Sequence, residues 1–108
     1  MLPKENRVDK RDIDFLFKKG NSINSSDLSF KFILTTDATL PRISFIAPKN
    51  IAKLAVLRNS LRRRGYDALR KHIRSFPRGL IGVFLFKKNQ QDVPTIENEI
   101  KNILNKIN

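Results

Sequence analysis

Apolar and polar side chains alternate strictly over residues 28–35, the pattern of a half-buried β-strand. A second strand is predicted over residues 42–49, and because only a short polar loop separates the two, we expect them to pair antiparallel. The polar residues 21–27 leave room for a brief extra strand. Residues 80–88 form an apolar, β-rich run typical of a mostly buried strand. The apolar side of the first strand comprises Leu28, Phe30, Phe32 and Leu34.

Three other segments carry apolar residues at helical spacing. Asp9 is a candidate cap for a first helix that presents Ile13, Leu16 and Phe17 on one face and stops at Gly20. A long helix is predicted over about residues 52–74, followed by the turn signal SFPRG. A last helix opens at Pro94 and Thr95. Its apolar stripe comprises Ile96, Ile100, Ile103, Leu104 and Ile107.

The order of the predicted elements is α-β-β-β-α-β-α. This order predicts an α+β fold, a two-layer sandwich with helices packed on a small mixed sheet. The length of 108 residues suits one domain with a modest core, and we find no internal repeat or linker. We therefore expect residues 1–108 to form a single domain.

Composition narrows the class of protein. The chain has no cysteine, which excludes a disulfide framework and a thiolate metal site. No apolar run reaches the ~18 residues of a membrane span, and the first ten residues lack an apolar signal core. We therefore expect a cytoplasmic protein without a membrane partner. Twenty-two basic residues against ten acidic ones give a net charge of +12, which favours a polyanionic partner.

The positive charge is concentrated in the long helix and the residues just before it. Residues 49–74 hold nine basic residues and a single carboxylate, at Asp67. At about 100° per residue, the helix is predicted to be amphipathic. Its apolar side comprises Leu54, Leu57, Leu61, Ala68, Leu69 and His72. Its opposite side comprises Asn59, Arg63, Arg70 and Arg74, with Arg62 and Lys71 near the edges.

An ordinary solvated helix face mixes charges of both signs, because opposite charges four residues apart are favourable and like charges are not. Here Arg58 and Arg62 repel each other at that spacing, so the pattern favours a nucleic-acid contact over a merely solvated face. Arginine also suits bidentate contact with phosphate. DNA remains an alternative, although the chain shows neither a helix-turn-helix pair nor zinc-ligand spacing. RNA is the more natural partner for a broad charged face beside a sheet.

KNIAKLAVLRNSLRR, residues 49–63, is similar to the pattern K-K-V-x-K-x-A-V-x-R-N-R-[IL]-[KR]-R of the bacterial ribonuclease P protein subunits, and two other segments resemble the same family. NRVDKRDIDFLFKKG resembles the opening N-R-L…D-F-x-x-V-F-K-K-G, and PRISFIAPK resembles the strand R-[IV]-G-[FL]-x-V-x-K-K. The resemblance covers about residues 6–88. It departs from the pattern at Asn50, Ser60 and Ile13, and Gly65 is an unexplained glycine within a helix.

The resemblance implies a single RNA-binding domain of ribonuclease P protein type, with an unusual left-handed βαβ crossover. It implies a subunit of an endoribonuclease that removes the 5′ leader from precursor tRNA. In that family the catalytic RNA carries the chemistry through Mg²⁺ ions bound mainly by RNA and substrate, so the isolated chain is expected to be inactive. The expected partners are the catalytic RNA and precursor tRNA, with no DNA.

Two sets of contact residues follow from the resemblance. The catalytic RNA is expected to bind Lys49, Lys53, Arg58, Asn59, Arg62 and Arg63. A cleft between the long helix and the sheet is expected to receive the single-stranded leader on Ile13, Phe17, Phe30 and Phe32, although the three phenylalanines are favoured as core residues over stacking platforms.

The sequence offers no catalytic or metal-binding constellation. Asp12 and Asp14 would diverge on a helix, and His72, the sole histidine, has no evident acid or base beside it. We therefore predict neither catalytic residues nor a metal site in the protein. A ribosome-associated or RNA-chaperone-type binding protein, without an enzyme assembly, remains the alternative because fold does not fix function.

Overall fold

The computed structural model describes residue 8, residues 10–36 and residues 40–107, so Asp9, the candidate helix cap, lies outside the described residues. Over these described residues the chain forms three α-helices and four strands in the predicted order. They are α1 (Lys10–Lys19), β1 (Asn21–Asn24), β2 (Leu28–Leu34), β3 (Arg42–Ile46), α2 (Ala55–Leu69), β4 (Leu80–Phe86) and α3 (Val93–Ile107), with a 3₁₀ turn at Ile73–Ser75.

The strands form one mixed sheet in the order β1-β2-β4-β3. β4 pairs antiparallel with β2 and parallel with β3. The prediction that β2 and β3 pair with each other is therefore wrong, because β4 lies between them. β4 is almost wholly apolar. In the centre of the sheet, neighbouring strands pair with both of its edges and helices cover both of its faces. The brief extra strand is confirmed as β1, which pairs antiparallel with β2.

Because β3 and β4 are parallel neighbours, the segment that carries α2 is a βαβ crossover. The α+β class and the element order predicted from the sequence are confirmed. The left-handed sense of the crossover stays a prediction.

The main core lies between one face of the sheet and the helices α2 and α3. Three aromatic rings stack across the sheet, with ring centroids 4.3 Å apart for Phe30 and Phe84 and 5.0 Å apart for Phe45 and Phe84. From α3 the predicted apolar stripe packs onto them, and its buried members are Ile96, Ile100, Ile103 and Leu104.

Gly65 has a packing role in α2. A Cβ atom at this position would lie 2.6 Å from the nearest ring carbon of Phe45 on β3, closer than side chains tolerate. Next to it, Tyr66 accepts a hydrogen bond at its hydroxyl from the Phe45 amide, at 3.3 Å. The glycine therefore permits the close approach of α2 to β3, which offsets its cost of about 1 kcal/mol within a helix.

Helix α1 lies on the opposite face of the sheet from α2 and α3. Arg42 and Ser44 alternate along β3 with core residues, so they point to this second face. There Arg42 forms an ion pair with Asp12 of α1 at 3.0 Å, and Ser44 accepts a hydrogen bond from the Val8 amide at 2.8 Å. Leu16 of α1 is buried, yet it lies outside the main core cluster. The sheet is thus covered on both faces.

The long helix is shorter than predicted. Its start is delayed by a turn in which the amides of Ile51 and Ala52 donate to the Pro48 carbonyl. Ala52 is the buried residue at this end, so the first turn of α2 lies outside the core. Leu54 and Leu57, predicted on the packed side, are instead 62% and 37% exposed.

Candidate nucleic-acid interface

The predicted RNA-binding residues are brought together at the beginning of α2. Lys49 and Lys53 lie in the turn before the helix, and Asn59, Arg62 and Arg63 lie on its exposed side. No Asp or Glu occurs between residues 38 and 66, so no carboxylate neighbouring in sequence offsets these charges. An anionic ligand would relieve the repulsion among them.

Arg58 differs from the other basic residues because it is half-buried. Its Nη1 donates to the carbonyl of Ala52 at 3.1 Å and to that of Lys53 at 2.8 Å. These bonds hold the turn before α2 and leave the Nε and Nη2 groups for a phosphate, since arginine has five N–H donors. Arg58 therefore both shapes the interface and contributes charge to it.

Asn59 and Arg62 form one unit on the surface of α2. Arg62 Nη2 donates to Asn59 Oδ1, which lies one turn earlier. The Asn59 amide group keeps its two N–H donors, so the pair offers donors of both residues to the same side. Arg70, further along, is instead neutralised by Asp67 at 2.9 Å. From Lys49 to Arg64 the sequence holds six basic residues and no carboxylate, so the net positive charge is greatest in the turn before α2 and in its first ten residues.

Ser60 stands where the resembled pattern has an arginine, and it lies at the margin of the charged face. It is half-buried, and its hydroxyl donates to Gln91 Oε1 at 3.4 Å, in the segment before α3. The substitution therefore exchanges a cation for a contact within the protein.

The residues proposed for the leader lie elsewhere. Phe17 of α1 is 45% exposed and Ile13 is half-buried, and both belong to the helix that covers the second sheet face. The prediction of one cleft between the long helix and the sheet is therefore wrong, because the sheet separates Phe17 from α2. A contact surface that includes Phe17 therefore lies on the α1 side of the sheet.

Phe30 and Phe32 are core residues. Phe30 is 0% exposed and Phe32 is 7% exposed, and their rings stack with centroids 5.3 Å apart. The prediction that they line an open cleft is wrong, because β2 directs both rings towards α2 and α3. The intervening Lys31 points the other way and places its Nζ 5.8 Å from the centroid of the Phe17 ring. The alternation of side chains along β2 could have predicted the position of Lys31, since the residue between two core phenylalanines must face the opposite side of the sheet.

His72 has an acidic partner that the sequence did not reveal. Its Nε2 lies 2.9 Å from Oε2 of Glu97 on α3, a contact across 25 positions of the chain. The hydrogen bond to His72 lowers the pKa of the Glu97 carboxyl, and this exceeds the rise that burial gives. The pair joins the end of α2 to α3, which is a structural role.

The buried carboxylate of Asp27 is also structural. Gln90 Nε2 donates to its Oδ2 at 2.8 Å, and this hydrogen bond, followed by those from Ser26 and Lys88, lowers the pKa of Asp27 against the effect of burial. Among the residues that the structure describes, no three His, Cys, Asp or Glu side chains are grouped to hold a metal ion. Within the same ranges no helix has the length and apolarity needed to cross a membrane.

Comparison with known proteins gives a consistent result. The sequence model of the family Ribonuclease P matches residues 2–108. The ribonuclease P protein component of Pseudanabaena sp. (strain PCC 6903) is 31% identical over 113 residues, which cover 98% of this chain and 94% of that protein.

Two solved structures share the fold. The RNase P protein of Staphylococcus aureus superposes with a TM-score of 0.81 at 18% identity, covering 96% of each chain. That of Thermotoga maritima gives 0.81 at 22% identity, covering 94% of this chain and 97% of its own. The sequence family, the curated relative and the fold agree, and the chain belongs to the ribonuclease P protein family.

Proposed function

We propose that this chain is the protein subunit of a ribonuclease P ribonucleoprotein, in which it binds the catalytic RNA and the 5′ leader of precursor tRNA. The family is that of a protein component of a tRNA-processing endoribonuclease. The observation that carries the proposal is the start of α2, where five exposed polar and basic side chains and Arg58 meet without a neighbouring carboxylate in the sequence.

The catalytic RNA contacts α2 and the turn before it. Lys49, Lys53, Arg62 and Arg63 neutralise phosphates, a contact that strengthens binding without reading sequence. Asn59 adds directional hydrogen bonds to phosphate or ribose. Arg58 holds the turn that presents the two lysines, so its loss would displace neighbouring contacts as well as remove a charge.

The leader contacts α1 and the second sheet face. A half-exposed Phe17 ring offers a stacking surface to a base, and Lys31 beside it offers a cation to the phosphate. Ile13 contributes apolar contact without a ring. Stacking tolerates any base, which suits leaders of varied sequence. Because the sheet lies between α1 and α2, the protein holds its two RNA partners on opposite sides.

Phosphodiester hydrolysis requires an activated water, and we assign this to Mg²⁺ ions held mainly by the RNA subunit and the substrate. In the part of the chain that the structure describes, Asp12 is paired with Arg42 and Glu97 with His72. The protein side chains therefore bind and orient RNA in this proposal, and none takes part in proton transfer.

The RNA that copurifies with the chain tests the assembly. A tagged chain purified from its own cells under native conditions is expected to retain one structured RNA, which supports cleavage of precursor tRNA, because α2 is a broad phosphate-binding face. Sequencing of the bound RNA identifies it. Ribosomal RNA as the dominant species would contradict the proposal and favour a ribosome-associated or chaperone-type protein.

Phe17→Ala tests the leader contact. A stacked base contributes about 1–3 kcal/mol, so the variant is expected to lose about fivefold or more of the preference of the holoenzyme for precursor over mature tRNA. Its affinity for the catalytic RNA should stay unchanged, because the sheet separates Phe17 from α2. Equilibrium binding of both tRNA forms to reconstituted holoenzyme measures the two quantities.

Phe15→Ala is the matched control, since Phe15 is a similarly exposed phenylalanine on the same helix, at 47% against 45%. A circular dichroism melt confirms that both variants fold. An unchanged precursor preference in folded Phe17→Ala would show that the leader binds elsewhere.

A further inference from the structure

Arg64 is a basic residue of α2 that lies outside the expected RNA-binding set. Its side chain is exposed, whereas the next two residues, Gly65 and Tyr66, are buried. Among the residues that the structure describes, no carboxylate forms an ion pair with Arg64. The carboxylate nearest to it in sequence, Asp67, is bonded to Arg70 at 2.9 Å. The guanidinium of Arg64 is therefore available to an anion outside the protein.

The packing of the two residues after Arg64 holds this part of α2 in place. The ring of Tyr66 packs edge-on against the ring of Phe45 with centroids 5.2 Å apart, and its hydroxyl accepts a hydrogen bond from the Phe45 amide. Gly65 lies against the same ring with no space for a side chain. Since rotation of the helix about its axis would break these contacts, Arg64 projects from a firmly packed segment.

The three consecutive arginines of α2 project in different directions, because successive residues of a helix are about 100° apart. Arg62 and Arg64 therefore lie about 160° apart around the helix axis, with Arg63 between them. Arg62 is bonded to Asn59 on its own side of the helix. Arg64 lies instead on the side of Ser60, which precedes it by four residues, about one turn. Arg64 thus does not duplicate the contact that Arg62 can make.

The direction of a helical side chain brings Arg64 close to the position where the family pattern has an arginine. A side chain on a helix leans towards the N-terminus and covers the surface over the preceding turn. Arg64 therefore covers the surface next to Ser60, whose Cα lies about 6 Å away along the helix axis. The serine side chain is short, and its hydroxyl is bonded to Gln91 within the protein. The side of α2 that lacks the arginine of the pattern is thus reached by another arginine from the next turn.

We propose that Arg64 binds a backbone phosphate of the catalytic RNA on the Ser60 side of α2, in place of the arginine that the family pattern has at position 60. The inference rests on the proposed binding of that RNA by α2 and adds a further residue to it. The resembled pattern ends at Arg63 and does not supply this contact. A guanidinium forms two parallel hydrogen bonds with a phosphate, which makes the contact directional as well as electrostatic.

The test begins with Arg64→Ala and a control that removes the same charge. Arg64→Ala is expected to bind the purified catalytic RNA about tenfold more weakly at low salt, because it loses a charge-assisted phosphate contact. The slope of log K against log salt should decrease by the contribution of one phosphate. Arg74→Ala is the matched control, since Arg74 is an exposed arginine in the 3₁₀ turn beyond α2. Its loss should change the affinity by less than about twofold, because a distant exposed charge is screened by salt.

Ser60→Arg tests whether Arg64 takes the place of the missing arginine. In the Arg64→Ala background, this substitution should recover most of the lost affinity, because it returns a guanidinium to the same side of the helix. In the otherwise unaltered protein it should add less than about threefold, since Arg64 already binds the phosphate there, and a double-mutant cycle measures this coupling. A circular dichroism melt checks the fold of each variant. Should Ser60→Arg not fold, the comparison of Arg64→Ala with Arg74→Ala decides alone.

Four results would overturn the inference. The first is full affinity for the catalytic RNA in folded Arg64→Ala, and the second is an equal loss in Arg74→Ala. The third is a folded Ser60→Arg that recovers nothing in the Arg64→Ala background, or that adds the same affinity with and without Arg64. The fourth is a loss confined to the binding of precursor tRNA by the assembled holoenzyme, which would assign the phosphate to the substrate. Failure of the unaltered protein to bind the catalytic RNA would instead refute the proposed function itself.

Discussion

Replacing Arg62 and Arg63 together with alanine is expected to weaken binding of the catalytic RNA by about a hundredfold or more at low salt. Each charge-assisted hydrogen bond contributes roughly 1.5–3 kcal/mol, and every 1.4 kcal/mol is about tenfold in affinity. Both side chains are exposed on α2, so the loss should fall on binding and not on folding. The Asn59 side chain also loses its Arg62 partner.

The salt dependence of RNA binding provides an independent test of the same variant. The slope of log K against log salt is proportional to the number of phosphates that the protein neutralises. Losing two phosphate contacts should therefore reduce this slope by the amount that two phosphates contribute. The control is Lys101→Ala with Lys106→Ala, which removes the same charge from exposed positions on α3. Equal losses in the two double variants would mean that net charge, and not the face of α2, determines binding.

The charged face of α2 could be predicted because helical periodicity is a local property of the sequence. The pairing of the strands could not. β2 and β3 are neighbours along the chain, but β4, about 35 residues beyond β3, inserts between them. Strand pairing of this kind depends on which segment best fills the centre of the sheet. The expectation that two strands joined by a short loop pair with each other does not take later segments into account.

The same distinction explains the errors at the site. The strand pattern places Phe30 and Phe32 on one face of β2. Only the packing of α2 and α3 against the sheet shows that this face is covered. Leu54 and Leu57 follow the helical pattern, yet the turn at Pro48 delays the helix and leaves them outside the core. Tertiary contacts decided each case, and a pattern of spacing does not contain them.

One departure from the family pattern and the glycine within α2 have a physical account. Ser60 bonds to Gln91 at the margin of the charged face, and Gly65 makes room for the ring of Phe45. Asn50 is exposed, and nothing in the structure explains why it replaces a lysine. The basic face is therefore narrower than the pattern implies.

Cleavage of precursor tRNA should depend completely on the catalytic RNA. Because the proposed role of the protein is to bind and orient RNA, the purified chain alone should leave precursor tRNA intact at any Mg²⁺ concentration. With the catalytic RNA present, cleavage should occur once, at the mature 5′ end. This is the largest effect that the account predicts, since the chemistry itself is assigned to the other subunit.

The most direct test is therefore a reconstitution with 5′-labelled precursor tRNA. The chain is purified through a ribonuclease step and freed of the added enzyme, then assayed alone, with the catalytic RNA, and with that RNA plus the Arg62→Ala, Arg63→Ala variant. We predict no cleavage by the protein alone, accurate cleavage by the complex, and weaker stimulation by the variant at low protein concentration. Cleavage at the mature 5′ end by the RNA-free protein, or no effect of the protein on the RNA-catalysed reaction, would contradict the account.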